Sequence, residues 1–143
     1  MTTKAPRKLD HLIKTELLAN GADVVAFGDL TELPPGVREG LPVGVSLGVC
    51  IPREIVRAIA DAPTPEYYAY YKSANAKLQE LIKHGERLIR GLGYSAVGMT
   101  REQIAQVSGE NFTTLPLKTV ATRAGLGWIG KCALLVTEKY GSA

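Results

Sequence analysis

The segment from APTPEYY through RLIRG (62–91) is the strongest constraint on the fold. Tyr67, Tyr71, Ala74, Leu78, Leu81, Ile82, Leu88 and Ile89 recur at helical spacing, with lysines and glutamates between them. About 25 residues of this pattern predict one long amphipathic helix, whose apolar stripe must lie against other elements. Gly91 and Gly93 stand where it should end. Shorter elements surround it. RKLDHLIKTELLANG (7–21) places Leu9, Leu12, Ile13, Leu17 and Leu18 mostly on one helical stripe, with Gly21 as a left-handed cap. ADVVAFGDL (22–30) reads as a buried strand. VGVSLGVCI (43–51) reads as a second strand covered on both faces. Its glycines at 44 and 48 share one face and leave room for a close neighbour, either a helix or a ligand.

Between these strands, TELPPGVREGLP is a loop, because its prolines and glycines suit neither a helix nor a central strand. PREIVRAIADA opens with Pro52 at a helix start. YSAVGM (94–99) is expected to be a third short strand, and TREQIAQVSGENFTTLP (100–116) a long, polar, functional-looking loop. LKTVATRAG (117–125) is a short helical turn, and CALLVTEKY (132–140) a fourth strand. The predicted class is α/β (α+β), a small mixed sheet with the long helix laid across it.

The 143 residues suit one domain, and 45% hydrophobic with 22% charged composition, without a long polar tract, is that of an ordinary globular protein. The net charge of +3 is too modest and too dispersed for a dedicated nucleic-acid binder, and the TTKAPRK cluster reads as a solvated lead into the first helix. No apolar run approaches the ~18 residues that a membrane span requires. No secretory signal stands at the start, so the expected setting is cytoplasmic and reducing. Cys50 and Cys132 are isolated and read as buried free thiols. No metal-ligand spacing is present.

The chemistry is concentrated in RAGLGWIGKCALLV. Gly125, Gly127 and Gly130 spell G-x-G-x-x-G, and Gly125 to Lys131 also spell G-x-x-x-x-G-K. A dinucleotide fingerprint needs a strand before its glycines and a helix after them, which is the reverse of the order here. A P-loop needs Ser or Thr where Cys132 stands, again ahead of a helix. Two readings survive. In one, Gly125 caps a helix ahead of a tight turn and Trp128 is a core aromatic. In the other, the glycines let the backbone approach a flat ligand, with Leu126 or Trp128 along its surface and Lys131 at an anionic group.

AGLGWIGKCALLVTEKYGS resembles the signature of the epoxyqueuosine reductase family, in which an AGLGW-x-GK loop precedes a strand and a G-S pair. The resemblance extends less diagnostically upstream, through GLGYSAVGM and the Tyr-rich helix. It implies a cobalamin-binding domain, nitroreductase-like in fold, spanning 1–143 as a single N-terminal domain. In the family a C-terminal ferredoxin-like module with 4Fe-4S clusters follows, and a base-off cobalamin lies between the two parts. By this kinship Gly125, Leu126, Gly127, Trp128, Gly130 and Lys131 are the cofactor-binding residues. Electrons would arrive through the 4Fe-4S module, without which the isolated chain is expected to be inactive.

Two features depart from the family pattern. The position of its proton-donating aspartate is Asn111 here, with Glu110 next to it. An amide cannot donate a proton as a carboxylic acid does, which points to a paralogue with another substrate. Two isolated cysteines cannot supply the four thiolates of a 4Fe-4S centre, so a fragment of a longer protein is expected. The implied partner is a ferredoxin-like half, with a homodimer formed where that half would dock. A tRNA is a less supported partner, and no membrane is involved. The alternatives are a cofactor-free docking module and an FMN-binding, nitroreductase-like protein. Of Tyr67, Tyr68, Tyr70 and Tyr71, two are expected in the core and two outside. His11 and His84 are expected to face solvent, and Glu102 and Glu110 are the loop carboxylates available to proton chemistry.

Overall fold

The computed structural model describes residues 7–100, 117–131 and 134–140. In chain order the elements are α1 (Arg7–Ala19), β1 (Val24–Asp29), β2 (Val43–Gly48), α2 (Arg53–Arg57), α3 (Pro65–Gly91), α4 (Leu117–Arg123), β3 (Gly127–Ile129) and β4 (Leu135–Thr137). The chain is mixed α and β, but the expected mixed sheet is replaced by two separate antiparallel pairs, β1–β2 and β3–β4.

The β1–β2 pair organises the molecule because its two faces differ in side-chain size. Directly opposed residues share a face and successive residues alternate. Val25 and Phe27, opposite Leu47 and Val45, make one large apolar face. It meets the cluster of Ile13, Leu17, Ala22, Val25 and Leu81, against which Leu9, Leu88, Ile89 and Val49 also pack. The other face presents Ala26 and Gly28 opposite Ser46 and Gly44, and this small-residue side takes α4. Helices therefore flank the pair on both sides, as expected for β2. Even so, its residues are only half-buried and Val43 is exposed, because a two-stranded ribbon has an open edge on every strand.

The long helix forms as its pattern predicts. Thr64 caps it, its hydroxyl accepting from the Tyr67 N–H at 3.0 Å, and Pro65 occupies the first helical position. Its 27 residues span about 40 Å. It runs against α1, with Ala74, Leu81 and Gly85 buried, and Leu81, Leu88 and Ile89 also join the cluster on the apolar face of β1–β2. The helix α1 turns in only Ile13 and Leu17 fully, while Leu12 and Leu18 are exposed. A single partner face accommodates a narrower stripe than the sequence offers. Gly21 (φ 111) and Gly93 (φ 92) end α1 and α3 in the left-handed region. The helix α2 is shorter than PREIVRAIADA suggests.

The segment 94–99 is not a strand. Two of its backbone groups are held by α3 side chains: Glu86 Oε2 accepts from the Gly98 N–H at 2.6 Å, and Arg90 donates Nε and Nη2 to the Ala96 carbonyl at 3.1 and 2.8 Å. A backbone held by side chains has no need of a ladder. The fourth strand shrinks to Leu135–Thr137, and the glycine-rich stretch supplies its partner β3.

Candidate functional site: the glycine turn and its hairpin

Helix α4 ends at the first glycine of the motif. The Gly125 N–H donates to the Thr122 carbonyl at 3.1 Å and the Leu126 N–H to Ala121 at 3.0 Å, with Gly125 at φ 77. This is a Schellman termination, as the helix-cap reading expected. A Cβ added at Gly125 would meet no atom of the described residues within 4 Å, so among them the space over this backbone is open.

Gly127 begins β3 for a different reason. It pairs with Thr137, and a Cβ there would fall against the Val136 carbonyl, with that carbon at 2.8 Å. Only a residue without a side chain lets β4 lie this close. Trp128 pairs with Val136 and Ile129 with Leu135, and the Gly130 N–H donates to the Leu134 carbonyl at 2.9 Å. Trp128 is 55% exposed, which overturns the reading of it as a core aromatic. Ile129 and Leu134 on the hairpin, and Leu117 at the start of α4, are exposed as well. A hairpin whose strands are three residues long is too short to fold its side chains onto a core. Leu126 is half-buried, and Lys131 stands exposed at the turn. The six residues of the motif thus form one continuous feature, open on its outer side. Asn111, Glu110 and Glu102 lie outside the described residues, as does Cys132.

The close neighbour expected beside Gly44 is a helix. A Cβ at Gly44 would lie 2.6 Å from Val120 Cγ1 and 3.0 Å from Leu30 Cδ1. Gly48 faces only Val24, its cross-strand partner. Gly28 was not singled out in the sequence, yet it is the glycine that the helix backbone itself approaches. A Cβ there would lie 2.8 Å from the Ala124 nitrogen and 3.0 Å from the Arg123 carbonyl carbon. A lone glycine within an otherwise apolar strand was the available signal.

Charge gathers beside this contact. Arg123 Nη1 meets Glu32 Oε2 at 3.3 Å, joining the end of α4 to the loop after β1. Asp29 Oδ1 accepts from the Thr31 hydroxyl at 2.6 Å and the Thr31 N–H at 2.8 Å. These bonds, the hydroxyl first, hold the Asp29 carboxyl below its ordinary range, with a smaller contribution from Arg123. A lowered carboxyl stabilises the fold above its unfolded value, and that contribution fades as pH falls through the folded value. Thr31→Ala should therefore move the Asp29 midpoint upward in a carboxyl-carbon NMR titration. An unchanged midpoint would show that the hydroxyl does not set it.

The remaining candidates lie elsewhere. Tyr67 and Tyr70 are half-buried and Tyr68 and Tyr71 exposed, so none joins the core. Tyr67 stacks on Tyr71 with ring centroids 6.3 Å apart, and Lys72 Nζ lies 5.1 Å from the Tyr68 centroid. His11 is exposed as expected, whereas His84 is half-buried beside α1, 3.3 Å from Asn20 Nδ2 and 3.7 Å from Glu16 Oε2. Cys50 is a free, half-buried thiol whose pKa is raised by burial and by the Asp23 carboxylate. It is thus protonated and a poor nucleophile at neutral pH. An open groove of about 620 Å³ lies between Glu39–Leu41 and Arg90 with Tyr94–Val97, and no residue of the glycine turn lines it.

Among the described residues no three His, Cys, Asp or Glu side chains converge as a metal site, and no helix is long and apolar enough to cross a membrane. No protein-family model, curated protein or solved structure matches this chain.

Proposed function

We propose that this chain is the corrinoid-binding domain of an epoxyqueuosine reductase-like, iron–sulfur-dependent reductase acting on a different substrate. The observation that carries this reading is the form of the AGLGW-x-GK stretch. It leaves α4 through an open left-handed glycine and stands as a hairpin with the Trp128 ring uncovered. The residues fit a flat macrocycle. The open space over Gly125 lets a ligand reach the backbone, Trp128 offers an aromatic face, and the exposed Lys131 would meet an anionic edge. Gly125, Leu126, Gly127, Trp128, Gly130 and Lys131 would hold the corrinoid, which when bound supplies a redox-active cobalt centre. The two cysteines of the sequence cannot ligate a 4Fe-4S cluster, so electrons would come from a ferredoxin-like half. Asn111 stands at the family's proton-donor position, and Glu110 beside it is the carboxylate that would take over that role.

The test is an anaerobic titration with cob(II)alamin, with FMN in parallel, read by absorbance and electron spin resonance. A saturable shift to the base-off spectrum is expected, weakened roughly tenfold or more by Trp128→Ala. Absence of a shift, or equal affinity in the variant, removes the glycine hairpin from corrinoid binding. A shift with FMN alone would favour the nitroreductase-like alternative. The exposed Ile129 and Leu134 support a second reading, a docking module for the ferredoxin-like half, because apolar side chains beside the turn suit a protein surface as well as a cofactor.

A further inference from the structure

The geometry points to the cross-strand pair Gly28–Gly44 as the seat that sets where the glycine hairpin stands. Gly28, Gly44 and Val120 are then positioning residues for the Trp128 face.

Three observations support this. Gly28 and Gly44 are directly opposed in the β1–β2 ladder, so their missing side chains leave a single slot across both strands. Helix α4 fills that slot at two points, with Val120 Cγ1 against Gly44 and the Arg123–Ala124 backbone against Gly28. The second contact lies immediately before the Schellman turn at Gly125, only a few residues ahead of Trp128. Among the described residues, β3 packs on α4, and no ladder joins the strand pairs β1–β2 and β3–β4. Val120 and Ala121 are buried while Trp128, Ile129 and Leu134 beyond them are exposed, so the helix end is the fixed point from which the turn projects.

A methyl group at either glycine should therefore displace the turn and leave the α1–α3 side of the sheet in place. At Gly28 the obstructing atoms are backbone and cannot rotate away, so the whole helix end must shift. At Gly44 the principal obstruction is a Val120 methyl, so the displacement should be reversible by a size exchange.

The test uses the full chain with Gly28→Ala, Gly44→Ala, Val120→Ala and the double variant Gly44→Ala/Val120→Ala. Gly48→Ala serves as the control, because a Cβ there meets only Val24 at the far end of the same ladder. Two readouts are followed: amide resonances of Leu126–Trp128 with the indole N–H of Trp128, the sole tryptophan, and the affinity for cob(II)alamin. The resonances are expected to move in Gly28→Ala and Gly44→Ala and to return toward wild type in the double variant. They should stay in place in Gly48→Ala even where its thermal midpoint falls by as much. Affinity, which rests on the function proposed above, should fall about tenfold in the two displaced variants and recover in the double one.

If Gly48→Ala moves the turn as far as Gly28→Ala does, or if Val120→Ala fails to restore Gly44→Ala, the seat is overturned. Should Gly44→Ala alone not fold, recovery of a folded double variant with wild-type turn resonances supports the seat, and its absence overturns it. A wild-type chain that takes up no cob(II)alamin overturns the functional reading instead, and the resonances alone then decide the seat.

Discussion

Leu17→Ala is expected to lower the stability of the chain by about 3 kcal/mol. Leu17 is 1% exposed and lies at the centre of the cluster formed by Ile13, Ala22, Val25 and Leu81. Its Cδ2 methyl lies over Gly85 of α3, where a Cβ would stand 3.5 Å away. One side chain thus fills the gap left by a glycine on the facing helix, and α1, α3 and β1 all meet around it. Truncation removes three carbons from the core, and because the surroundings relax only partially the cavity term adds to the lost transfer energy. Domains of this kind are stable by only about 5–15 kcal/mol, which makes such a loss visible as a large shift in urea midpoint. Leu12→Ala, exposed on the same helix, is the comparison and should change stability by less than about 0.5 kcal/mol. Equal losses for the two would mean that α1 is not docked through Leu17.

Gly127→Ala is expected to open the β3–β4 hairpin while the rest of the molecule stays folded. Its added methyl would be forced against the Val136 carbonyl group, which belongs to the paired strand and cannot rotate aside. Overpacking of this kind costs roughly 1–3 kcal/mol, and a hairpin with three-residue strands has little local stability to set against it. The core cluster draws on α1, β1 and α3 and takes in no residue of the hairpin, so the loss should be local. Hydrogen exchange is the measurement. The Gly130 amide, bonded to Leu134, should lose its protection, while the β1–β2 amides keep theirs. Retained protection at Gly130 would show that the strands separate enough to admit the methyl. The same substitution at Gly125 has a different cost. No atom obstructs it, so only left-handed backbone strain of about 1 kcal/mol is expected. Two glycines two positions apart therefore serve different purposes, one conformational and one steric.

That contrast separates what local sequence rules can reach from what they cannot. The caps at Gly21, Gly93 and Gly125 were legible because a left-handed residue after a helical stripe is a short-range requirement. The long helix was legible for the same reason, since its period repeats many times. YSAVGM misled, because a short apolar run looks the same whether its backbone pairs with a strand or with side chains such as Glu86 and Arg90. The glycine stretch misled in the opposite direction. Three glycines suggest a loop, yet β4 recruits Gly127–Ile129 as a strand, and Trp128 turns outward because no core lies within its reach.

By itself, the sequence determined the helices, the first two strands, their caps and the resemblance on which the corrinoid proposal rests. All of these depend on residues near one another in the chain or on a contiguous motif. Only the tertiary structure decided that the sheet splits into two pairs, that α3 rests on α1, and that Gly28 and Gly44 together form the slot for α4. These depend on which surfaces meet. A glycine carries no side chain to announce its partner, so its role becomes visible only when the neighbouring backbone is in place.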